Sequence, residues 1–215
     1  MADREEGTVH DGRRDGPIVF GSYRLTALEP LLREVRACQT CAAVLPLGAR
    51  PILQASATAR ILIASQAPGT KAHMAGVPFA DPSGDRLREW MDLSLDQFYD
   101  ASTVAIIPMG LCYPGRLPAG GDAPPRPECA AKWRARLLEQ LSALRLTLLV
   151  GTYAQVHALG PGTMTNRVFD AASRSAGLFA LPHPSWRTRS WALKHPGFDR
   201  DVLPALRTAI GNALS

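Results

Sequence analysis

Long apolar runs are missing from this sequence, and so are the common nucleotide-binding signatures. No stretch approaches the ~18 apolar residues that a membrane-spanning helix needs. The first residues, MADREEGTVHDGRRDG, are charged and polar and hold no apolar segment of the kind a secretory leader carries. A cytoplasmic location is therefore expected, where thiols stay reduced. Only four cysteines occur in 215 residues. A chain of this length buries roughly 70% of the surface its unfolded form exposes, so it needs no disulfide framework. Neither GxxxxGK(S/T) nor GxGxxG is present, which removes the P-loop and dinucleotide-binding readings. There is no internal repeat.

What is present reads as an ordinary globular composition, 46% hydrophobic and 20% charged. The net charge of +5 suits a polyanionic partner without demanding one. Residues 1–20 are expected to form a disordered or loosely attached tail, rich in Arg, Asp and Gly, and residues 21–215 a single domain. Four short apolar runs bounded by turn signals read as strands: RILIAS (60–65), STVAIIP (102–108), LTLLVG (146–151) and GLFALP (177–182). Helical spacing falls at 25–37, 81–91, 128–144 (with a basic exposed side) and in TYAQVHAL, and a last helix lies in FDRDVLPALRTAIGNAL. This alternation predicts an α/β fold, a three-layer α/β/α sandwich around a central four-stranded parallel sheet.

In such sheets the functional loops leave the carboxyl ends of the strands. Three of those loops, SQAPG, PMGLCYPG and LPHPSW, have unusual chemistry and are expected to converge. SQAPGTKAHMAGVPFADPSG turns tightly at Pro68 and Gly69 and offers Phe79 as a stacking surface for a planar ligand. LPHPSWR holds His183 between two prolines that fix the local backbone. A neutral imidazole held that way can donate a hydrogen bond to an oxygen gaining negative charge. Ser185 beside it is a candidate phosphate ligand. The cysteines fall as Cys38-x2-Cys41, then Cys112-x16-Cys129, which makes a workable four-thiolate metal site. Ligand type alone does not separate zinc from an iron–sulfur cluster there.

SQAPGTKAHMAGVPFADPSG resembles motif A of the uracil-DNA glycosylase superfamily, in the form found in its iron–sulfur (family 4) branch. HPSW resembles that superfamily's H-P-S motif, and the four cysteines resemble, in order and approximate spacing, the branch's cluster ligands. The resemblance runs from about Leu28 to the C-terminus. It implies a monofunctional DNA glycosylase, a hydrolase that removes uracil or another deaminated base from DNA and leaves an abasic site. Base extrusion is part of that chemistry, because the glycosidic bond is out of reach in the stack. Within the resemblance, Gln66, Ala67 and Gly69 line the pocket under the base and near the sugar, and Phe79 stacks on the flipped base. His183 stabilises the departing base anion, and Ser83 and Ser185 grip the flanking phosphates. Cys38, Cys41, Cys112 and Cys129 then hold a structural [4Fe–4S] cluster, with zinc the alternative. The expected partner is damaged DNA, bound by a monomer away from any membrane.

Three positions depart from the pattern. Ala67 stands where the most efficient branch has an aspartate to assist the attacking water, which leaves His73, Asp81 and Asp85 as candidates. Pro108 stands where the iron–sulfur branch reads the uracil edge with an asparagine; proline has no side-chain donor or acceptor. The backbone of Met109 and Gly110 is then the candidate reader. The apolar wedge usual after the second motif is missing, and Trp186, Arg187 and Arg189 are candidates to fill the vacated stack or contact phosphates. No lysine stands where a Schiff-base nucleophile would be expected. Two alternatives follow from these departures: a non-excising damaged-DNA-binding protein of the same fold, and an iron–sulfur redox protein.

Overall fold

The computed structural model describes residues 27–215, so the tail expected over 1–20 lies outside the described residues. Four strands, β1 (Ile61–Ala64), β2 (Val104–Ile106), β3 (Leu146–Val150) and β4 (Leu178–Leu181), form one sheet in the order β2-β1-β3-β4. All pairings are parallel, with Ile61 opposite both Val104 and Leu146, and Leu149 opposite Ala180. The helices are α1 (Leu28–Arg36), α2 (Thr70–Ala75), α3 (Pro82–Met91), α4 (Leu95–Tyr99), α5 (Pro127–Leu138), α6 (Thr152–Leu159), α7 (Met164–Phe169), α8 (Ala171–Ser175), α9 (Thr188–Lys194) and α10 (Leu203–Leu214).

The strands are buried on both faces, which is why they read as continuous apolar runs. Their period-2 alternation sorts the two faces into separate cores. Ile61, Ile63, Val104 and Ile106 pack with Leu87 and Trp90 of α3 and Leu206 and Ile210 of α10. Leu62, Ala105 and Ile107 pack on the other face with Leu31 and Val35 of α1 and Trp133 and Leu137 of α5. The result is the three-layer α/β/α arrangement expected from the sequence.

Several details differ from the expectation. The helix expected over 128–144 ends at Leu138. Gln140 and Leu141 donate their amides back to Leu137 and Leu138, a tight turn that seats Leu141 in the core before β3 begins. Arg134 of that helix is buried rather than exposed and donates to the Ile107 carbonyl at 3.3 Å. Helices α2, α4, α7, α8 and α9 are five to seven residues long, too short to print a 3.6-residue period. Pro204 sits in the first turn of α10, directly after a π-helical turn over Phe198–Val202.

β1 and β3 lie side by side, while their other neighbours lie on opposite sides. That reversal opens a crevice at the carboxyl ends of the strands. The loops after β1, β2 and β4 all enter it, joined by Tyr153 just after β3.

Candidate active site

The crevice is an open cleft of about 1580 Å³ including its mouth, lined by Ser65 to Thr70, Phe79, Asp81, Ser83, Pro108, Asp122, Tyr153, His183 and Ser185 to Arg187, among others. The enclosed part of the cleft holds about 570 Å³, within the roughly 300–1,000 Å³ of pockets that take a single small group such as one extruded base. The convergence expected of the three loops is therefore found.

The β1 loop is pinned from behind. Met109 donates its amide to Ser65 O at 2.8 Å, and Gly110 donates to Gln66 O at 2.9 Å. Both residues are buried, and neither lines the cleft. Their amides are consumed in fixing the loop and are not free to read a base edge. Gln66 itself faces the cleft, with its Nε2 3.5 Å from the Ala123 carbonyl.

Phe79 both lines the cleft and belongs to the core, meeting Phe98 edge-to-face at 6.2 Å. Its φ of +57° is a left-handed conformation, strained for a bulky side chain. The surroundings hold it there. Tyr99 donates its hydroxyl to Pro78 O at 3.0 Å, and Asp81 donates its amide to Phe79 O at 2.8 Å. Asp81 then caps α3, its Oδ1 accepting from the amides of Ser83 (2.8 Å) and Gly84 (3.1 Å).

His183 leaves the end of β4 between two buried prolines, Pro182 and Pro184. Its carbonyl accepts from the Ser185 amide and the Thr188 hydroxyl. Gln155 of α6 donates its Nε2 to Leu149 O and Leu181 O, which ties the ends of β3 and β4 together just behind it. Gly151, with φ +84°, presents a bare α-carbon to the imidazole; a Cβ there would lie 3.4 Å from His183 Cβ. Burial lowers the imidazole pKa, with Asp81 and Asp122 pulling weakly the other way. The ring is therefore neutral at pH 7.

Asp122, from the long loop after β2, was not legible as a site residue. A Cβ added at Gly69 would stand 3.4 Å from its Oδ2 and 3.9 Å from Asp81 Oδ2. The residue is exposed to water, yet the cleft walls crowd it enough to raise its carboxyl above the ordinary range. Asp81 adds to that rise, and His183, Arg116 and Arg187 oppose it. Arg116 and Arg187 give the cleft its positive charge, and Arg187 lies over the ring of Trp186 at 5.3 Å. Arg86 donates to Ser185 O at 2.8 Å and fixes the same segment.

Two other candidates fall away. His73 is buried on α2 with its ring toward Tyr113, 6.1 Å between centroids, and does not line the cleft. A helix, rather than the loop its sequence suggested, turns it away. Asp85 pairs with Arg88 on the outer face of α3. Trp191 is a packing residue, stacked on His195 at 4.7 Å and donating to Thr165 Oγ1.

A family model of the uracil DNA glycosylase superfamily matches residues 53–207. The chain belongs to that superfamily. The match takes in the whole cleft wall from Ser65 to Arg187, together with Cys112 and Cys129, and leaves Cys38 and Cys41 outside it.

The four cysteines of this superfamily member line one cavity of about 440 Å³ including its mouth, with Thr40, Arg126, Lys132 and Trp133 around them. Leu111 donates its amide to Cys129 Sγ at 3.3 Å. Burial pushes Cys112 up to about 11, and the neighbouring thiols add to it by repulsion. At Cys38 burial acts upward too, but hydrogen bonding with Thr40 and Trp133 and the charge of Lys132 outweigh it and lower the thiol. Among the described residues no three His, Cys, Asp or Glu side chains are gathered as a site for one metal ion. Gly110 lines this cavity and also holds Gln66, so the cysteine site and the cleft share a wall.

Proposed function

We propose that this protein is a monofunctional DNA glycosylase that hydrolyses the N-glycosidic bond of uracil, or another deaminated base, and leaves an abasic site. The observation behind this reading is a neutral, rigidly held His183 across a strand-end cleft from Phe79 and Gln66 in a chain of a DNA-acting superfamily. Phe79 stacks on the extruded base, and Gln66 with the backbone at Ala67 and Gly69 forms the floor beneath base and sugar. As the bond to the sugar breaks, His183 donates to the base oxygen that gains charge; a neutral donor suits this better than an imidazolium, which would surrender its proton. Ser83, Ser185 and Arg187 hold the phosphates on either side. No lysine lines the cleft among the described residues, which supports hydrolysis over lyase chemistry. Pro108 forms a wall with no hydrogen-bonding edge, which favours tolerance of several deaminated bases.

The donor set fits a thiolate-bound cofactor: four soft ligands around one cavity, with an amide at Cys129 and cations nearby. Cys38, Cys41, Cys112 and Cys129 would hold a [4Fe–4S] cluster there. Its contribution is structural, cross-linking the segment after α1 to the loop that carries Gly110.

The test is excision from single-stranded and duplex oligonucleotides carrying uracil, hypoxanthine or xanthine, with alkali to cut abasic sites. Alkali-labile product at uracil is expected. Intact oligonucleotide for every base, at stoichiometric enzyme, would overturn the reading in favour of a lesion-binding protein.

A further inference from the structure

Ala67 puts only a methyl group where a carboxylate could otherwise assist the attacking water, so the base must come from elsewhere in the cleft. The residues lining the cleft include two carboxylates, Asp81 and Asp122. Asp81 is engaged: its Oδ1 accepts two amides at the start of α3. Asp122 accepts no hydrogen bond among the described residues, faces solvent through the cleft mouth, and reaches to the position a Gly69 side chain would occupy. Gly69 has no side chain, so this approach to the floor of the cleft is open.

The loop that delivers Asp122 is built, not slack. Gly120 donates to Leu117 O and Leu117 donates to Gly121 O, each at 2.9 Å, with Gly120 and Gly121 both at positive φ. That closed turn returns the chain so that Asp122 bridges to Arg116, and Ala123 then donates to Gly115 O at 2.8 Å. The next carbonyl along, that of Ala123, faces Gln66 Nε2. A side chain on Gly121 would press on Arg187 Nη1 at 3.0 Å. Both flanks of Asp122 are thus tied to residues of the cleft.

We propose that Asp122 is the catalytic base of this cleft, accepting a proton from the water that attacks the sugar. The proposal rests on the glycosylase reading above. The water oxygen forms a bond to C1′ as the C1′–N bond breaks, and the bonding pair leaves with the base as an anion held by His183. The water's proton passes to the Asp122 carboxylate and then to solvent or the departed base, so no oxidant or further reactant is needed. The groups facing Asp122 are His183, Arg116, Arg187 and Asp81. Crowding by the cleft walls raises the carboxyl pKa, which brings it closer to the operating pH and makes it a stronger base.

The test is single-turnover excision by the full chain on a uracil-containing single strand, comparing wild type with Asp122→Asn. Asp85→Asn, on the outer face of α3, serves as the control. Asp122→Asn is expected to lose at least about 100-fold in rate, the usual range for a general base. Its affinity for the oligonucleotide should stay within threefold, and the acid limb of the rate profile should vanish. Asp85→Asn should match wild type. An Asp122→Asn rate within threefold of wild type, or a rate loss matched by lost affinity, overturns the proposal and leaves the glycosylase reading intact. Wild type inert on every base would instead remove the reading itself.

Discussion

Gly84 lies flat against the backbone of Phe79: a Cβ on Gly84 would fall 1.9 Å from the Phe79 carbonyl oxygen and 2.9 Å from its Cβ. The first turn of α3 and the strained Phe79 therefore interlock, and the PF and DPSG halves of the motif are one structural unit. Gly84→Ala must displace backbone rather than a flexible tip. Overpacking of this kind costs about 1–3 kcal/mol. At about 2–4 °C per kcal/mol for a domain of this size, the melting temperature should drop by several degrees. Excision should fall as well, because Phe79 moves with its carbonyl. Circular dichroism melting alongside the excision assay checks both, and an unchanged melt would show that the interlock is not tight.

His183→Ala removes the donor to the departing base while leaving the sheet intact. A single preorganised donor of this kind is typically worth about 10²–10³ in rate. The loss should appear in the single-turnover rate, with the melting temperature little changed. Unaltered excision would strip His183 of its role.

Acid should destabilise the protein through the same residue. Burial lowers the folded-state pKa of His183, so the unfolded chain binds a proton first as pH falls. The stability from keeping the ring neutral is complete above the unfolded value of about 6.5 and is lost progressively below it. His73 and His157 shift in the same direction, each by burial with a nearby arginine helping. Melting temperature should be flat between pH 7 and 8 and decline below 6.5. The decline should be shallower in His183→Ala; identical slopes would mean that His183 is not held neutral.

Burial pushes the Cys112 thiol up to about 11. Any metal or cluster must take it as thiolate, so loading should release protons and strengthen as pH rises. Cys112→Ser should abolish bound iron, measured by elemental analysis, together with visible absorbance. It should also lower the melting temperature, since the segment after α1 would lose its cross-link. A colourless wild type carrying one zinc per chain would replace the cluster with zinc.

The sheet and its loop convergence were legible because buried parallel strands appear as unbroken apolar runs between turn signals, as in ILIA and LTLLV. His183 was legible because two prolines and a strand end leave its position little freedom. Asp122 was not. It comes from a stretch dense in proline and glycine, without periodicity, and only the bonds between Leu117, Gly120 and Gly121 bring it back to the cleft. The engagement of Met109 and Gly110 was hidden for a related reason. Nothing in the sequence shows that their amides are taken by Ser65 and Gln66. His73 lies within four residues of Gly69 in the chain, yet the short helix α2 points it at Tyr113. In each case a local hydrogen-bond pattern, rather than hydrophobic patterning, decides where the side chain goes.

Trp186 is 73% exposed, unusual for so large a ring, and among the described residues its one ring contact is with Arg187. Together they stand at the cleft rim, followed by the exposed Arg189. A wedge must leave water for a base, so it gains little from the fold itself. Trp186→Ala should leave the melting temperature unchanged, as exposed substitutions usually stay within about 0.5 kcal/mol. Loss of stacking should weaken DNA binding by about 1–3 kcal/mol. Arg187→Ala should act differently: a lost phosphate contact lowers the salt dependence of binding by a slope of about 1, whatever the base. Fluorescence anisotropy across a salt series separates the two. If Trp186→Ala changed the salt slope while Arg187→Ala did not, the roles assigned to ring and guanidinium would be reversed.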